Sequence, residues 1–296
     1  MTRRLALAAV LSFALLTPGG AVTAQSGTVT LRAPLLLDGR GGSRSEVMVT
    51  VNGGRIAAVG TVAGPATYDL TGLTLLPGFI DTHVHIGWHF DANDRYATGP
   101  EPADQAALYA AENAWVTMMA GFTTVQSVGA ASDKALRDAI ARGVLPGPRI
   151  LSSLGQIASP KLTPDEIRSA VRKLKTDGAD LVKIFASASI RDGGVPTLSQ
   201  EQLDAACGEA RAQGLRSMVH AHAPEAIIRA ARAGCTVVEH GGSPTPRPSP
   251  SWPRRACGSI PTSAWSRRTI SKTARSSWAS GTTPTRASRR WRRHWG

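Results

Sequence analysis

Residues 216–240 have the sequence RSMVHAHAPEAIIRAARAGCTVVEH. Two apolar segments, 216–220 and 236–239, have the composition of buried strands. Between them, residues 224–233 show helical periodicity and begin with a proline, which favours the first turn of a helix. Parallel strands need a crossover of this length, whereas antiparallel strands are joined by short turns. This stretch therefore predicts a parallel α/β arrangement.

The same alternation extends towards the N-terminus. Further strands are predicted over 75–80, 123–126, 149–153 and 181–186, and further helices over 102–120, 133–142, 164–176 and 199–213. An incomplete (β/α)8 TIM barrel over residues 76–242 fits this pattern best, because strands and helices alternate throughout. A doubly wound open sheet is the alternative, although no glycine-rich phosphate loop follows the first strand.

The N-terminal part has a different pattern. Residues 25–75 contain short β-rich segments separated by glycine turns, which predict a small β-sandwich subdomain. Residues 1–24 resemble a signal peptide, with a positive start, an apolar core and small residues before Ala24. We expect cleavage after Ala24 and export to the periplasm or the medium. An uncleaved anchor or a mistaken start codon is the alternative.

Basic residues are concentrated at the C-terminal end. Residues 243–296 hold 12 of the 34 Lys and Arg residues and none of the 21 acidic ones, so residues 1–242 carry 22 − 21 = +1. The total charge of +13 therefore does not indicate a nucleic-acid-binding protein. Five of the seven tryptophans also lie in this tail. We interpret it as the product of a shifted reading frame, with a disordered basic tail as the alternative, and the nucleotide sequence around codons 240–250 distinguishes the two.

Two histidines follow the first predicted barrel strand, in the segment PGFIDTHVH at 77–85. Residues two apart in a strand share a face, so His83 and His85 are expected to point the same way. Two neutral imidazoles directed at one point form half of a divalent-metal site. Two structural histidines are the alternative.

Lys183 lies in the apolar strand LVKIF at 181–185, where an unpaired ammonium group is costly. A buried lysine that loses its proton can react with carbon dioxide, and the resulting carbamate is an anionic metal ligand. A lysine that reaches solvent, or one paired with an acid, is the alternative.

Later strands end in histidines as well. His220 and His222 repeat the same-face pair, and His240 ends the last predicted strand. Barrel active sites lie at the carboxyl ends of the strands, so these residues and Lys183 are predicted to converge there. Of the three cysteines, at 207, 235 and 257, an exported protein could pair two. Cys207 and Cys235 are predicted to be small buried residues, and we expect neither a disulfide framework nor a cysteine metal site.

With these motifs, residues 27–242 resemble the amidohydrolase superfamily. The segments LVKIFASASIRDGG at 181–194 and VHAH at 219–222 resemble its imidazolonepropionase-like branch, which includes Xaa-Pro dipeptidases. The resemblance implies that the protein binds two divalent metal ions, which we expect to be zinc. It also implies that carbon dioxide carboxylates Lys183. It implies the metal ligands His83, His85, Lys183, His220 and His240, with His222, Ser187 and Arg191 near the substrate.

The resemblance also implies the reaction, hydrolysis of an amide or peptide bond by water that the metal ions activate. A dipeptide or an N-acyl amino acid is the expected substrate, and a cyclic amide is the alternative. The family uses an Asp at the end of the eighth strand for proton transfer, yet no Asp or Glu follows Glu239. We therefore expect little activity from the 296-residue chain, or an inactive metal-binding relative.

For partners, we expect no nucleic acid and no membrane anchor after signal cleavage. A homo-oligomer is an open expectation for full-length relatives.

Overall fold

A computed structural model describes residues 27–90, 95–97 and 100–241, together with the backbone of 258–259. The chain divides into two compact units, Met1–Pro77 and Gly78–Gly296. The predicted signal segment and nearly all of the predicted tail lie outside the described residues.

The first unit is a small β-sheet. Its strands are β1 (Val29–Leu37), β2 (Ser43–Asn52), β3 (Arg55–Thr61), β4 (Tyr68–Asp69) and β5 (Thr74–Leu75). The order is β3-β2-β1-β4, and β5 also pairs with β1. Gly53 and Gly54, at φ +55° and +73°, form the tight turn between β2 and β3 that the sequence predicted. The described residues here form one sheet, so the predicted sandwich is not confirmed.

The second unit alternates strands and helices as predicted. Its helices are α1 (Ala103–Met119), α2 (Asp133–Ala141), α3 (Pro164–Asp177), α4 (Gln200–Ala212) and α5 (Pro224–Arg232). Its strands are β6 (Phe79–Val84), β7 (Phe122–Ser127), β8 (Arg149–Ser152), β9 (Gln156–Ile157), β10 (Leu181–Phe185), β11 (Arg216–Ala221), β12 (Val237–His240) and β13 (Gly258–Ser259).

One predicted strand was misplaced. The apolar run 75–80 was predicted as a single strand, but Leu75 pairs with β1 in the first unit, and β6 begins only at Phe79. Pro77 and Gly78 separate the two strands, since proline has no N–H for a ladder hydrogen bond. Hydrophobicity alone does not distinguish one long strand from two short ones.

All strand pairs in the second unit are parallel. β6-β7-β8 form one sheet and β9-β10-β11-β12-β13 another. The two sheets meet at the end of β8. Ser153 N, just after β8, donates to Ser127 O of β7 at 3.1 Å, and Asp180 N, just before β10, donates to Ser152 O of β8 at 2.8 Å. Leu154, at φ +52°, makes the bend between β8 and β9. The strands therefore follow one another in chain order along a continuous wall.

This wall is strongly curved. When β8 and β9 are counted as one interrupted strand, five strand-to-strand steps separate β6 from β12, which in a flat sheet would be roughly 24 Å. Yet His83 Nδ1 on β6 lies 2.7 Å from Glu239 Oε1 on β12. The chain-order succession and the curvature fit a partial (β/α)8 barrel and not a doubly wound open sheet, although the described residues form no closed barrel.

The helices begin where local chemistry favours it. Thr163 at the start of α3 and Ser199 at the start of α4 each accept a hydrogen bond from the third helical residue, which reciprocates through its side chain. The largest buried core lies among α3, α4, α5 and strands β9 to β12. These contacts hold the carboxyl ends of β10, β11 and β12 side by side.

Cys207 and Cys235 form a disulfide with their Cα atoms 5.1 Å apart, so the expectation that these cysteines form no disulfide was wrong. Both residues are buried, as predicted. The bond forms because α4 packs beside the turn that leads into β12, a proximity that periodicity along the chain does not reveal. Cys257 lies outside the described residues.

Within the described part of the chain, no helix is both long enough and apolar enough to cross a membrane.

Candidate functional site

Titratable side chains gather at the carboxyl ends of the strands in the second unit. His83 lies in β6, Lys183 in β10, His220 in β11, and Glu239 and His240 end β12. Parallel strands place all their carboxyl ends at one edge, and the curvature of the wall brings the first and last of them together. The predicted convergence is therefore found for these strands.

Lys183 is the most deeply buried charged side chain of this group, at 1% exposure. Its Nζ donates to Glu239 Oε2 at 2.5 Å and lies 5.3 Å from the centre of the Phe185 ring. Burial lowers the pKa of Lys183, while the carboxylate of Glu239 opposes that shift. Of the alternatives for Lys183, the structure shows the one in which an acid pairs with it.

Glu239 is the site residue that the sequence analysis missed. It is 3% exposed, and its two carboxylate oxygens face Lys183 Nζ and His83 Nδ1. Burial alone would raise its pKa, but the close contact with His83 Nδ1 and the charge and hydrogen bond of Lys183 outweigh burial and lower the pKa. The signal was present, because a Glu in the apolar run TVVEH is as anomalous as a Lys in LVKIF.

The backbone at His240 explains how neighbouring residues of one strand both face the site. Successive side chains of a strand normally point to opposite faces. His240 has φ +76°, a left-handed conformation that breaks this alternation at the end of β12. As a result the Glu239 carboxylate and the His240 ring, whose centroid is 5.5 Å from that of His83, lie on the same side.

The histidine rings form a connected cluster. Centroids of His220 and His240 are 4.6 Å apart, those of His220 and His222 are 4.6 Å apart, and those of His222 and His240 are 4.9 Å apart. Burial lowers the pKa of both His220 and His240 to about 4, with neighbouring histidines adding to the shift. These imidazoles are therefore neutral at neutral pH, the form that binds metal ions.

His85 occupies a more peripheral position than predicted. Its ring centroid is 5.4 Å from that of His83 and it stacks on Trp88 at 3.7 Å. Burial is the main cause that lowers its pKa to about 4. Asn113 fixes this loop by donating to the carbonyls of Ile86 and Trp88 at 2.9 and 2.7 Å. His85 is neutral and near the cluster, but the ligand groups described below do not include it.

The three residues predicted near the substrate lie after β10 and β11. Ser187 is buried, and its Oγ accepts a hydrogen bond from the backbone N–H of His222 at 3.0 Å. His222 is buried against His220 and His240. Arg191 is exposed in a 3-10 turn, Ile190–Asp192, and the described contacts do not connect its guanidinium to the histidines. The structure thus joins Ser187 and His222 to the cluster but not Arg191.

Two groups of side chains offer ligand atoms within 4.8 Å of one another. One is His83, Glu239 and His240, and the other is His220, His222 and His240. Neutral imidazoles with one carboxylate suit borderline divalent ions such as zinc. The buried Nδ1 of His222, which has no hydrogen-bond partner in the described structure, also fits a site that receives a ligand. The residues present therefore fit a metal ion.

The chain is similar in sequence to two named enzymes. Over 268 aligned residues the chain is 27% identical to ochratoxinase of Aspergillus niger, a match that covers 74% of this chain and 55% of that enzyme. A stretch of 53 residues is 47% identical to N-acyl-D-aspartate deacylase of Alcaligenes xylosoxydans xylosoxydans, which covers 17% of this chain and 11% of that enzyme. The chain thus spans about half the length of the ochratoxinase.

The chain is also similar to solved structures. A Xaa-Pro dipeptidase with bound methionine in its active site superposes with a TM-score of 0.67 at 31% identity, covering 73% of this chain and 62% of that one. A prolidase complexed with N-methylphosphonate-L-proline superposes with a TM-score of 0.60 at 29% identity, covering 73% and 61%. The model of the amidohydrolase family matches residues 74–247, more than half of the sequence. The chain belongs to the amidohydrolase family.

Proposed function

We propose that this site is built for metal-dependent hydrolysis of an amide or peptide bond. The observation that carries the proposal is the cluster of neutral, buried histidines with the buried Lys183 and Glu239 pair at the carboxyl ends of consecutive parallel strands. The named relatives support it, because ochratoxinase, Xaa-Pro dipeptidase and prolidase are all hydrolases.

The proposed ligands for two divalent ions, with zinc as the expected metal, are His83, His85, Lys183, His220 and His240. When bound, such ions supply water with a pKa lowered to about 7 and polarise the scissile carbonyl. The chain's own contribution is to hold neutral imidazoles in place. The hydrogen bond that the His222 backbone N–H donates to Ser187 Oγ, and the pairing of Lys183 with Glu239, restrict the movement of the imidazoles.

We further propose that metal loading is accompanied by carboxylation of Lys183. In that reaction the neutral amine adds to carbon dioxide, an N–C bond forms and one proton leaves. As found, Lys183 donates to Glu239. The carbamate would be a second anion beside that carboxylate, which only nearby cations stabilise. Bound metal ions provide that charge, so carboxylation and metal binding are expected to occur together.

The proposed substrate is a dipeptide or an N-acyl amino acid. The support is the Xaa-Pro dipeptidase and prolidase structures and the short match to an N-acyl-D-aspartate deacylase. Low turnover is proposed for the 296-residue chain, because its sequence has no Asp or Glu after Glu239 to accept and return a proton.

Export with a signal cleaved after Ala24 is also proposed. The support is the disulfide between Cys207 and Cys235, since such bonds persist mainly in oxidising compartments. Binding of nucleic acid is not proposed, and homo-oligomerisation is proposed for full-length relatives.

Binding of a transition-state analogue tests the proposal without requiring turnover. N-methylphosphonate-L-proline, the ligand in the prolidase structure, is titrated calorimetrically into the zinc-loaded chain and into the same chain after chelation. We expect binding that depends on zinc and is lost in Lys183→Ala. His89→Gln is the control, because His89 stacks on Tyr109 outside both ligand groups. The proposal would be overturned if the phosphonate bound equally well after chelation, or if it did not bind the zinc-loaded chain.

A further inference from the structure

Three histidine rings at the ends of β11 and β12 form a set that differs from the expected ligands. This three-histidine set consists of His220, His222 and His240, and one ring nitrogen of each lies within 4.8 Å of the others. The His222 ring lies nearly parallel to that of His240, at 15°, and edge-on to that of His220, at 87°. The resemblance assigned His222 to the substrate, whereas the geometry places it among the ligand atoms.

The Nδ1 atom of His222 is the second observation. His222 is 8% exposed, and this nitrogen has no hydrogen-bond partner within the described part of the chain. A buried polar atom without a partner is costly, so such atoms in folded proteins usually receive a ligand, a water or an ion. Because the ring lies against two other histidines, a metal ion shared with them is the partner whose chemistry fits.

The position of His222 is fixed from two sides. Its backbone N–H donates to Ser187 Oγ at 3.0 Å, and Ser187 is itself buried. Gly194, at φ +63°, packs so closely that a Cβ there would lie 2.8 Å from the Cβ of His222. A glycine is therefore required for this approach, and the loop after β10 holds the ring over the ends of the strands.

We propose that the three-histidine set is by itself a metal site, with His222 as its third protein ligand. This site binds one divalent transition-metal ion. It needs neither a carboxylated Lys183 nor an acidic residue that follows Glu239 in the sequence. The inference rests on the proposed function only in taking this end of the strands to be a metal site. Lys183 keeps its bond to Glu239 in the one-metal state.

Three neutral nitrogens suit this role. Zinc and cobalt accept three imidazoles in a tetrahedral arrangement that leaves a fourth position open, with bonds of about 2.0–2.1 Å. That geometry places the nitrogens closer together than the present limit of 4.8 Å, so metal binding would require the three rings to rotate towards the ion. The site would thus keep a position for water or for a substrate oxygen.

The experiment counts imidazoles on the metal in the full 296-residue chain. One equivalent of cobalt is added in carbon-dioxide-free buffer, its affinity is measured by competition with a chelating dye, and X-ray absorption gives the number of imidazole ligands. The variants are His222→Gln, Lys183→Met and the control His89→Gln. We expect three imidazoles in the wild-type chain and two in His222→Gln, with affinity lower by about tenfold or more.

Lys183→Met and the control are expected to keep three imidazoles and wild-type affinity. Wild-type affinity in His222→Gln, or binding that needs added bicarbonate, would overturn the proposal. If near-ultraviolet circular dichroism shows that His222→Gln does not fold, the number of imidazole ligands in the wild-type chain decides. Two or fewer imidazoles on the metal would then reject the proposal. The chain could hold cobalt by three imidazoles and yet fail to bind the phosphonate. That result would support this inference and contradict the proposed function, so the two failures are distinguishable.

Discussion

At the scale of single residues, the buried pair of Lys183 and Glu239 dominates the energetics of the site. Each charge is taken out of water almost completely, with exposures of 1% and 3%. Their mutual attraction offsets this desolvation only while both partners are present. Removal of one partner leaves the other as an uncompensated buried charge.

We therefore expect Glu239→Ala to lower the free energy of unfolding of the metal-free protein by about 3–5 kcal/mol. The double variant Lys183→Met with Glu239→Leu should recover most of that loss, because it removes both charges and keeps the volume filled. Urea unfolding of the wild-type protein and these two variants in chelator gives the comparison. A loss below about 1 kcal/mol for the single variant would show that the ion pair does not hold the strands together.

The histidines make stability depend on pH. The pKa of His85, His220 and His240 falls from an ordinary 6.5 to about 4, with burial as the main cause at each. In the unfolded chain these histidines bind protons below about pH 6.5, whereas in the folded protein they do so only near pH 4. The unfolded state therefore takes up more protons in this window, and acid favours unfolding.

These histidines should make the free energy of unfolding of the chelated protein fall as the pH drops from about 6.5 towards 4. Urea titrations at a series of pH values measure this slope. His220→Gln should flatten it, and Val144→Gln, which changes an exposed side chain and adds or removes no titratable group, should leave it unchanged. An equal slope in wild type and His220→Gln would mean that other groups control the acid sensitivity.

At the scale of elements, the disulfide connects the site to the helical layer. Cys207 lies in α4 and Cys235 lies just before β12, the strand that carries Glu239 and His240. The bond spans a sequence separation of 28 residues that includes β11 and α5. It therefore restricts the part of the chain that presents the three-histidine set.

Reduction of this disulfide should lower the free energy of unfolding by about 3–4 kcal/mol, the loop entropy for a closed segment of this length. Cys207→Ser should have a similar effect, while Cys257→Ser serves as the control because Cys257 takes no part in the bond. Thiol titration under denaturing conditions and urea unfolding with and without reductant are the measurements. Equal stability of the oxidised and reduced wild-type protein would contradict this expectation.

At the scale of the whole molecule, one helix exposes an apolar stripe. Leu108, Trp115, Val116 and Met119 of α1 are 65%, 46%, 57% and 59% exposed. Their spacing places them near one face of the helix. A contiguous apolar surface of this kind favours self-association in water.

Leu108→Lys combined with Met119→Lys should reduce self-association of the 296-residue chain, with more of it sedimenting as monomer and weaker binding of a hydrophobic dye. Val144→Lys is the matched control, because Val144 is 66% exposed but lies after α2. Sedimentation velocity at several concentrations provides the measurement. Self-association that persists in the double variant would exclude the α1 stripe as its cause.

By itself, the sequence determined the elements of this protein and the residue types of its site. Helices and strands were predictable because their apolar periodicities are local properties, as in 224–233 and 237–240. The histidines and Lys183 were predictable because polar groups in apolar strands are energetically anomalous.

Tertiary structure decided which of these groups meet. The curvature of the wall brings His83 against Glu239 across five strand steps, α4 brings Cys207 to Cys235, and the left-handed backbone at His240 turns two consecutive side chains to one side. These contacts join residues far apart in the chain or depend on one backbone angle, and neither spacing nor composition encodes such information. Whether Lys183 is an ammonium partner or a carbamate ligand likewise depends on Glu239, which reaches it only in the folded chain.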